Sequence, residues 1–263
     1  MNKTFQTLKF HLTDDGIATV TLNRPEKLNA MNAEMRAEFG VLQAELVANP
    51  DIKVVVFTGE GRAFSAGGDI DFLDQNWNTP EFRRETQEFT GFFDALEMLE
   101  KPVIAAINGP CTGAGLQITL SCDLRIASDR ARFGFRENLI GLIPGAGGCS
   151  RLVKLIGYGK AKELIFTGEM ISAEEARAIG LINRVVPHAE LQSETQKLAR
   201  HLLTRAPVAL GLVKRVLWSC VNADLATGRT LESLAQSILI KTDDHKEGIR
   251  AFREKRPPKF TGK

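Results

Sequence analysis

The pattern of apolar residues changes character at about residue 190. Before that point, three short runs typical of strands lie at 17–22, 54–57 and 103–107, and segments with apolar residues at helical spacing separate them. Beyond it the strand signals cease, and three or four helical segments continue to Arg253. Alternating strands and helices pack as layers, so we predict an α/β fold followed by an all-helical part.

Capping and spacing signals predict the other elements of the α/β part. Asn32 is a predicted N-cap for a helix with apolar residues at every third or fourth position, and Ser172 opens a capping box. A third helix is predicted over 81–99, where phenylalanine and leucine recur at helical spacing. Further short strands are predicted at 124–127, 132–135 and 182–186. We divide the chain into two predicted units, residues 1–195 and residues 196–263.

Composition excludes several classes of protein. Hydrophobic residues make up 43% and charged residues 25%, which is ordinary for a globular protein and excludes a disordered or fibrous chain. The formal net charge of +2 is too small for a dedicated nucleic-acid or membrane-surface protein. The first residues lack the apolar stretch of a signal peptide, and no run of about 18 apolar residues occurs. We expect a soluble cytoplasmic protein with no membrane contact and no nucleic-acid partner.

Common catalytic and metal-binding motifs are absent from the sequence. The four cysteines are widely spaced without a C-x-x-C pair, and the four histidines lie in no zinc-site spacing, so we expect no metal site. Neither G-x-S-x-G nor H-E-x-x-H occurs, which argues against a serine hydrolase or a zinc protease. The two glycine-rich phosphate fingerprints are also missing.

Eleven of the 23 glycines lie in four short clusters between Gly59 and Gly148. The pair Gly67–Gly68 comes shortly after one predicted strand, and the cluster at 109–115 follows another and opens a predicted helix at Ala114. Glycine leaves backbone N–H groups accessible, and a helix N-terminus carries unpaired donors and partial positive charge. Two such loops could each supply one N–H to stabilise a developing oxyanion on a thioester carbonyl. The alternative is that these glycines only form turns.

Few polar or titratable side chains lie near these loops. Gln117 follows Ala114 by three residues, so both are expected on one face of the helix, but an amide cannot exchange a proton. Glu137 is followed by the apolar sequence around 139–143, which would raise the pKa of its carboxyl towards use as a general acid or base. The alternative for Glu137 is a solvated loop residue.

Six sequence motifs in the same order resemble the crotonase superfamily, whose best-known members are the enoyl-CoA hydratases and isomerases. The motifs are NRPEKLNA (23–30), AFSAGGDI (63–70), KPVIAAING (101–109), GAG (113–115), CD (122–123) and GLIPGAGG (141–148). The match continues nearly end to end. The resemblance implies a crotonase-like spiral of ββα units in the first unit and a helical C-terminal region that builds trimers, often paired into hexamers. It also implies an acyl-CoA thioester as substrate, with no separate cofactor because coenzyme A is part of that substrate.

The resemblance also assigns individual residues. The oxyanion-hole amides fall on Gly68 and Ala114, where the family usually has alanine first and glycine second. The expected contacts to coenzyme A fall on Lys27, Leu28, Ala66, Asp69, Ile70 and Lys255. Lys255 would reach the nucleotide phosphates from the C-terminal helix, and for both lysines a solvated surface position is the alternative.

One departure from the family pattern leaves the reaction open. Hydratases of the family carry two glutamates; the second aligns with Glu137, but the first aligns with Gln117. Hydration of an enoyl-CoA is slightly favoured on family frequency, whereas a single carboxylate suits double-bond isomerisation of a 3-enoyl-CoA. Hydrolysis, decarboxylation or cleavage of a thioester, or a catalytically weak member that binds acyl-CoA or RNA, are further alternatives. Phe133 and Phe135 would fit an acyl pocket, although core packing is their expected role.

Overall fold

The structure is a computed structural model and describes residues 5–263. Within this range the nine strands are β1 (Leu8–Leu12), β2 (Ile17–Leu22), β3 (Val54–Gly59), β4 (Val103–Ile107), β5 (Cys111–Thr112), β6 (Leu124–Ser128), β7 (Arg132–Gly134), β8 (Ile171–Ser172) and β9 (Arg184–Val186). The eleven α-helices there are α1 (Ala33–Ala48), α2 (Ile70–Leu73), α3 (Thr79–Met98), α4 (Ala114–Leu120), α5 (Gly148–Ile156), α6 (Tyr158–Thr167), α7 (Ala173–Ala178), α8 (Leu191–Leu203), α9 (Pro207–Cys220), α10 (Leu225–Leu239) and α11 (Asp243–Glu254). The predicted α/β class is confirmed.

Two sheets form the framework. The larger has six strands in the order β1-β2-β3-β4-β6-β9, in which β1 and β2 pair antiparallel and every later pair is parallel. The smaller has the order β5-β7-β8, with β5 and β7 parallel. Parallel neighbours require crossover connections, which here are supplied by helices and by strands of the second sheet.

Alternate side chains of the central strands pack into two different cores. Val55 and Phe57 of β3 pack with Phe39 and other residues of α1 and α3, whereas Val54 and Val56 contact the opposite cluster, which includes Leu191 and other residues of α8. A strand that is buried on both faces has an almost continuous apolar sequence. For this reason β3 and β4 could be predicted from the sequence.

The predicted capping signals are present in the structure. The Asn32 side chain accepts a hydrogen bond from the Met35 N–H at 3.0 Å, and Ser172 forms a capping box with Glu175. Asn78 caps α3 in the same way, so this helix begins two residues before the predicted start. Strands β1, β5 and β8 and helices α2 and α6 were not predicted.

The C-terminal region is helical, as predicted, and contains α8 to α11. The boundary drawn between residues 195 and 196 stays a prediction, but it falls inside α8, whose Leu191 and Ala199 pack on the large sheet. A division after Leu203 would therefore separate the layers better. No helix of residues 5–263 combines the length and apolarity needed to span a membrane.

Candidate active site

A cavity of about 360 Å³ lies where the glycine-containing loops meet α3 and the segment 139–143. Four residues singled out by the sequence, Gly68, Ala114, Gln117 and Glu137, line it together. Most of the remaining wall is apolar and consists of Ile70, Leu73, Phe82, Phe89, Leu139, Ile140, Leu142 and Ile143. The cavity therefore combines a few polar groups, among them Arg36 and Arg136, with largely apolar walls, as binding sites for small molecules usually do.

The two predicted amide loops pack directly against each other. The Thr112 N–H donates to the Ser65 carbonyl at 2.9 Å, which joins the loops through their backbones. Gly67 has a φ of +100°, and a Cβ there would lie 3.0 Å from the Thr112 oxygen and 3.2 Å from the Ala114 nitrogen. A Cβ at Gly115 would lie 2.5 Å from the Cβ of Ser65. These glycines are therefore required for the close approach of the loops, beyond any role in turning the chain.

The Gly68 and Ala114 amides donate to no group of the described residues. Ala114 is the first residue of α4, so its N–H has no carbonyl within the helix to which it could donate. Across residues 5–263, no hydrogen bond from either N–H is recorded. Two unused backbone donors thus lie on neighbouring loops at the wall of one cavity.

Gln117 is buried and fixed by the backbone on one side and by Glu137 on the other. Its side-chain oxygen accepts from the Ala146 N–H at 2.7 Å and from the Gly148 N–H at 3.2 Å. These two donors identify the oxygen of the amide, so the nitrogen faces Glu137 and donates to its Oε1 at 2.8 Å. Gln117 and Glu137 therefore form a hydrogen-bonded unit in which both acceptor positions of the Gln117 oxygen are used.

Glu137 begins a 3₁₀ turn, Glu137–Ile140, which starts three residues after the end of β7. A Cβ on Gly113 would lie only 3.3 Å from its Oε1, so the carboxyl packs against the backbone that precedes Ala114. The other oxygen, Oε2, is buried and has no hydrogen-bond partner in the described chain. Burial raises the pKa of the Glu137 carboxyl, although the hydrogen bond from Gln117 is among the contacts that lower it. One carboxylate oxygen is thus held in place while the other is left unpaired.

Arg36 is a cavity residue that the sequence did not single out. Its guanidinium carbon lies 4.2 Å from the centre of the Phe72 ring and 4.0 Å from that of Phe89. The one available signal was a charged residue three positions before the buried Phe39 on the apolar face of α1. Such a residue is usually taken for the edge of an amphipathic helix.

The chain is similar to known proteins of one family. Residues 13–263 match the family model described as enoyl-CoA hydratase/isomerase. The chain is 42% identical over 241 residues to a short-chain-enoyl-CoA hydratase of Clostridium acetobutylicum, covering 91% of this chain and 92% of that protein. It is 37% identical to a 1,2-epoxyphenylacetyl-CoA isomerase of Escherichia coli, covering 95% and 97%. A solved enoyl-CoA hydratase from Bacillus anthracis superposes with a TM-score of 0.94 at 36% identity, covering 98% and 100%.

The chain belongs to the enoyl-CoA hydratase/isomerase family. The crotonase resemblance and the crotonase-like fold are confirmed by these matches, and the family is one of lyases and isomerases. The roles of individual residues, by contrast, are not decided by similarity and depend on the geometry of this chain.

Two of the family positions expected to contact coenzyme A line the cavity, and a third, Leu28, is hydrogen-bonded to one of them. The two lining residues are Ala66 and Ile70. The Ala66 N–H donates to the Leu28 carbonyl at 2.9 Å, which brings the 23–30 loop beside the Gly68 loop. Lys27, in the same loop, is exposed and lies 3.5 Å from the Asp71 carboxylate, a weak surface pair.

Two other predicted coenzyme A contacts lie apart from the cavity lining. The buried carboxylate of Asp69 pairs with Arg24 at 2.7 Å and caps α2 by accepting from the Asp71 N–H. Lys255 follows α11 with a left-handed φ of 53° and is exposed. Their contacts with coenzyme A stay predictions.

The two phenylalanines near Glu137 belong to the core. Phe133 and Phe135 are buried in the main hydrophobic cluster and do not line the cavity. Their expected core role is therefore confirmed.

Proposed function

We propose that this chain is an acyl-CoA enzyme that hydrates a 2-enoyl-CoA to a 3-hydroxyacyl-CoA through a thioester enolate. The observation that carries the proposal is that Glu137, a carboxylate with one oxygen left unpaired, lines the same cavity as two unused backbone amides. A carboxylate with one free oxygen suits a general acid and base, and two convergent N–H donors suit an enolate oxygen. Similarity to the Clostridium acetobutylicum hydratase supports the substrate class.

The Gly68 and Ala114 amides would stabilise the oxyanion. When a nucleophile adds to C3 of an enoyl thioester, negative charge develops on the thioester oxygen. Two fixed N–H groups, one at the start of α4 and one in the adjoining loop, would donate hydrogen bonds to that oxygen without having to move. The partial positive charge at the helix N-terminus adds to this stabilisation. Neither donor depends on a side chain.

Glu137 would shuttle the proton. A water molecule loses a proton to the Glu137 carboxylate while its oxygen bonds to C3, and the protonated Glu137 then returns a proton to C2 of the enolate. The net change is addition of one water. The raised pKa of Glu137 favours this exchange because a group with a pKa closer to the working pH both accepts and donates readily.

Gln117 would orient the water through the second hydrogen atom of its side-chain NH₂ group, which does not donate to Glu137. Its amide nitrogen carries two donors, and one of them is used on Glu137 Oε1. Its oxygen is occupied by the Ala146 and Gly148 amides, so Gln117 can donate to the water but accept nothing from it. Glu137 is then the acceptor for the water proton within this pair.

Double-bond isomerisation is the second candidate, and the amide at position 117 specifically favours it. Glu137 would remove a proton from C2 of a 3-enoyl-CoA and return it to C4, with the same amides holding the dienolate. This reaction needs one carboxylate and no water. The relative from Escherichia coli with an isomerase name is consistent with such chemistry in the family.

Product analysis separates the two reactions. The protein is incubated with a 2-enoyl-CoA and, separately, with a 3-enoyl-CoA of the same chain length, and products are identified by mass spectrometry. We expect 3-hydroxyacyl-CoA from the 2-enoyl substrate. Conversion of the 3-enoyl substrate to the 2-enoyl isomer as the faster reaction would instead establish the isomerase. No conversion of either would contradict both candidates and leave a binding role.

We also propose that the helical region joins copies of the chain into a trimer or a pair of trimers. Large apolar side chains are exposed along α9 to α11, among them Leu217, Val221, Leu225, Ile238 and Phe252. Exposed apolar surface of this kind is typical of an interface between subunits. Sedimentation velocity should give a trimeric or hexameric mass, and a monomer at micromolar concentration would contradict the proposal.

A further inference from the structure

Arg36 lies beside the proposed reaction centre and forms no ion pair with residues 5–263. Its Nε is buried and unpartnered, and across residues 5–263 no hydrogen bond or ion pair from the guanidinium is recorded. Burial lowers the pKa of Arg36 to about 10, so the group still carries its charge at neutral pH, and Glu85 raises that pKa without forming an ion pair. A partly buried charge whose Nε is enclosed and has no hydrogen-bond partner is unfavourable, which suggests that a ligand completes this site.

The surroundings of Arg36 restrict what can pair with it. Phe72 and Phe89 stack on the guanidinium, so its remaining contacts are the N–H donors at its edge. One terminal nitrogen lies 4.0 Å from the position that a Cβ on Gly68 would take, and Arg36 lines the same cavity as Gly68 and Glu137. The free edge of the guanidinium is therefore beside the place proposed for the thioester.

The chemical class of the partner follows from the donors. A guanidinium presents N–H groups in a rigid planar fork that matches the two oxygens of a carboxylate. The wall formed by Leu139, Ile140, Leu142 and Ile143 is apolar, and so offers no such group. A purely alkyl acyl chain would leave Arg36 desolvated and unpaired, whereas a chain with a second carboxylate would neutralise it.

We infer that Arg36 is a specificity-determining residue that selects acyl-CoA substrates whose acyl chain carries a terminal carboxylate. The inference rests on the proposed acyl-CoA function and adds the substrate class to it. Arg36 binds the distal carboxylate, while Gly68, Ala114 and Glu137 act at the thioester end. No step of the reaction passes through Arg36, so its contribution is to binding and to substrate choice.

A binding experiment tests the inference separately from turnover. Calorimetry measures the Kd of saturated acyl-CoA thioesters, which the enzyme can neither hydrate nor isomerise. Each ω-carboxyacyl-CoA is compared with its methyl ester, in a series lengthened by one methylene at a time. The wild-type protein is expected to bind the best acid about 10- to 100-fold more tightly than its ester, the range for a hydrogen bond to a charged group.

Variants of Arg36 and a matched arginine complete the test. Arg36→Gln should abolish the preference for the acid, and Arg36→Lys should retain part of it, because the charge remains but the fork is lost. Arg83, exposed on α3 and outside the cavity lining, is the control, and Arg83→Gln should leave the preference unchanged.

The outcomes distinguish the inference from the proposed function. A wild-type protein that binds acid and ester equally, or an Arg36→Gln variant that keeps the preference, overturns the inference even if enoyl-CoA turnover is intact. A preference that depends on Arg36 supports it even if no enoyl-CoA is converted, in which case only the proposed reaction is lost.

Discussion

The two halves of the candidate site are built in opposite ways. The half formed by Gly68 and Ala114 offers only backbone N–H groups, held in place by glycines that let two loops approach closely. The half formed by Gln117 and Glu137 offers side-chain groups, one fixed by backbone donors and the other left with an unpaired oxygen. The first half should respond to changes in backbone geometry, and the second to changes in functional groups.

This difference also explains which part of the proposed chemistry is shared by hydration and isomerisation and which part distinguishes them. Enolate stabilisation by backbone amides serves hydration and isomerisation alike. In the proposed mechanism, the choice between the reactions depends on whether a water molecule can be held beside Glu137, and therefore on the single amide of Gln117.

The largest effect is expected from Glu137→Gln, which keeps the shape of the side chain and removes its proton exchange. Loss of a general acid and base lowers the rate by about 10²- to 10⁴-fold, measured as kcat/KM on the preferred enoyl-CoA. Because burial raises the pKa of Glu137, its ionised form destabilises the fold above that pKa. The variant should therefore melt at the same or a higher temperature at neutral pH. Unchanged activity would remove Glu137 from the mechanism.

Gly67→Ala should give the next largest effect, through backbone geometry alone. The added Cβ would lie 3.0 Å from the Thr112 oxygen at a φ of +100°, so the loop must shift and the Gly68 amide shifts with it. Loss of one oxyanion donor corresponds to about 10²-fold in kcat. Steady-state kinetics on the folded variant measure this loss, and a kcat within about twofold of wild type would contradict the backbone account.

Gln117→Glu changes the functional group while keeping an acceptor for the Ala146 and Gly148 amides. In the wild-type protein, the hydrogen bond from Gln117 lowers the pKa of Glu137. The substitution removes this hydrogen bond and puts a second negative charge beside Glu137, which raises the pKa of Glu137. Since the base must be ionised, activity is lost as pH falls through that pKa, so the acidic limb of kcat/KM moves to higher pH by roughly one unit. The ratio of hydration to isomerisation should also rise. If the acidic limb of the kcat/KM profile stays in place or moves to lower pH, Gln117 does not influence the ionisation of Glu137.

The smallest effect is expected from Gly68→Ala, the neighbour of the sensitive Gly67. Its φ is not left-handed, and an added Cβ would lie 3.3 Å from the flexible Leu73 side chain. Because only the Gly68 N–H is used, kcat should stay within about threefold of wild type. A loss as large as that of Gly67→Ala would mean that space for the acyl chain matters more at this position than the amide.

Much of the fold could be predicted from the sequence because buried positions are occupied by apolar residues at regular spacing. Strand β4 was predicted with its observed ends, since Val103 to Ile107 are all buried. Helix α1 was located by its Asn32 cap and its buried apolar positions. Strands β5 and β8 have two residues each, too few to show an alternation, and their pairing depends on contacts distant in sequence.

The site was predicted only in part, for a related reason. Glycine clusters and a nearby acid identified Gly68, Ala114 and Glu137 as candidates. Their spacing could not show that Ala146 and Gly148 orient Gln117, because that contact joins residues about thirty positions apart. Arg36 was missed because a charge beside an apolar helix face is ordinary, and only the rings of α2 and α3 show that it is enclosed.

Exchange of the C2 proton is the most direct test of the central claim, that Glu137 and two backbone amides form a thioester enolate. A saturated acyl-CoA is incubated in heavy water with wild type, Glu137→Gln and Gly67→Ala, and deuterium at C2 is followed by mass spectrometry. The wild-type protein should catalyse the exchange, Glu137→Gln should abolish it, and Gly67→Ala should slow it. Exchange at the wild-type rate in Glu137→Gln would contradict the account.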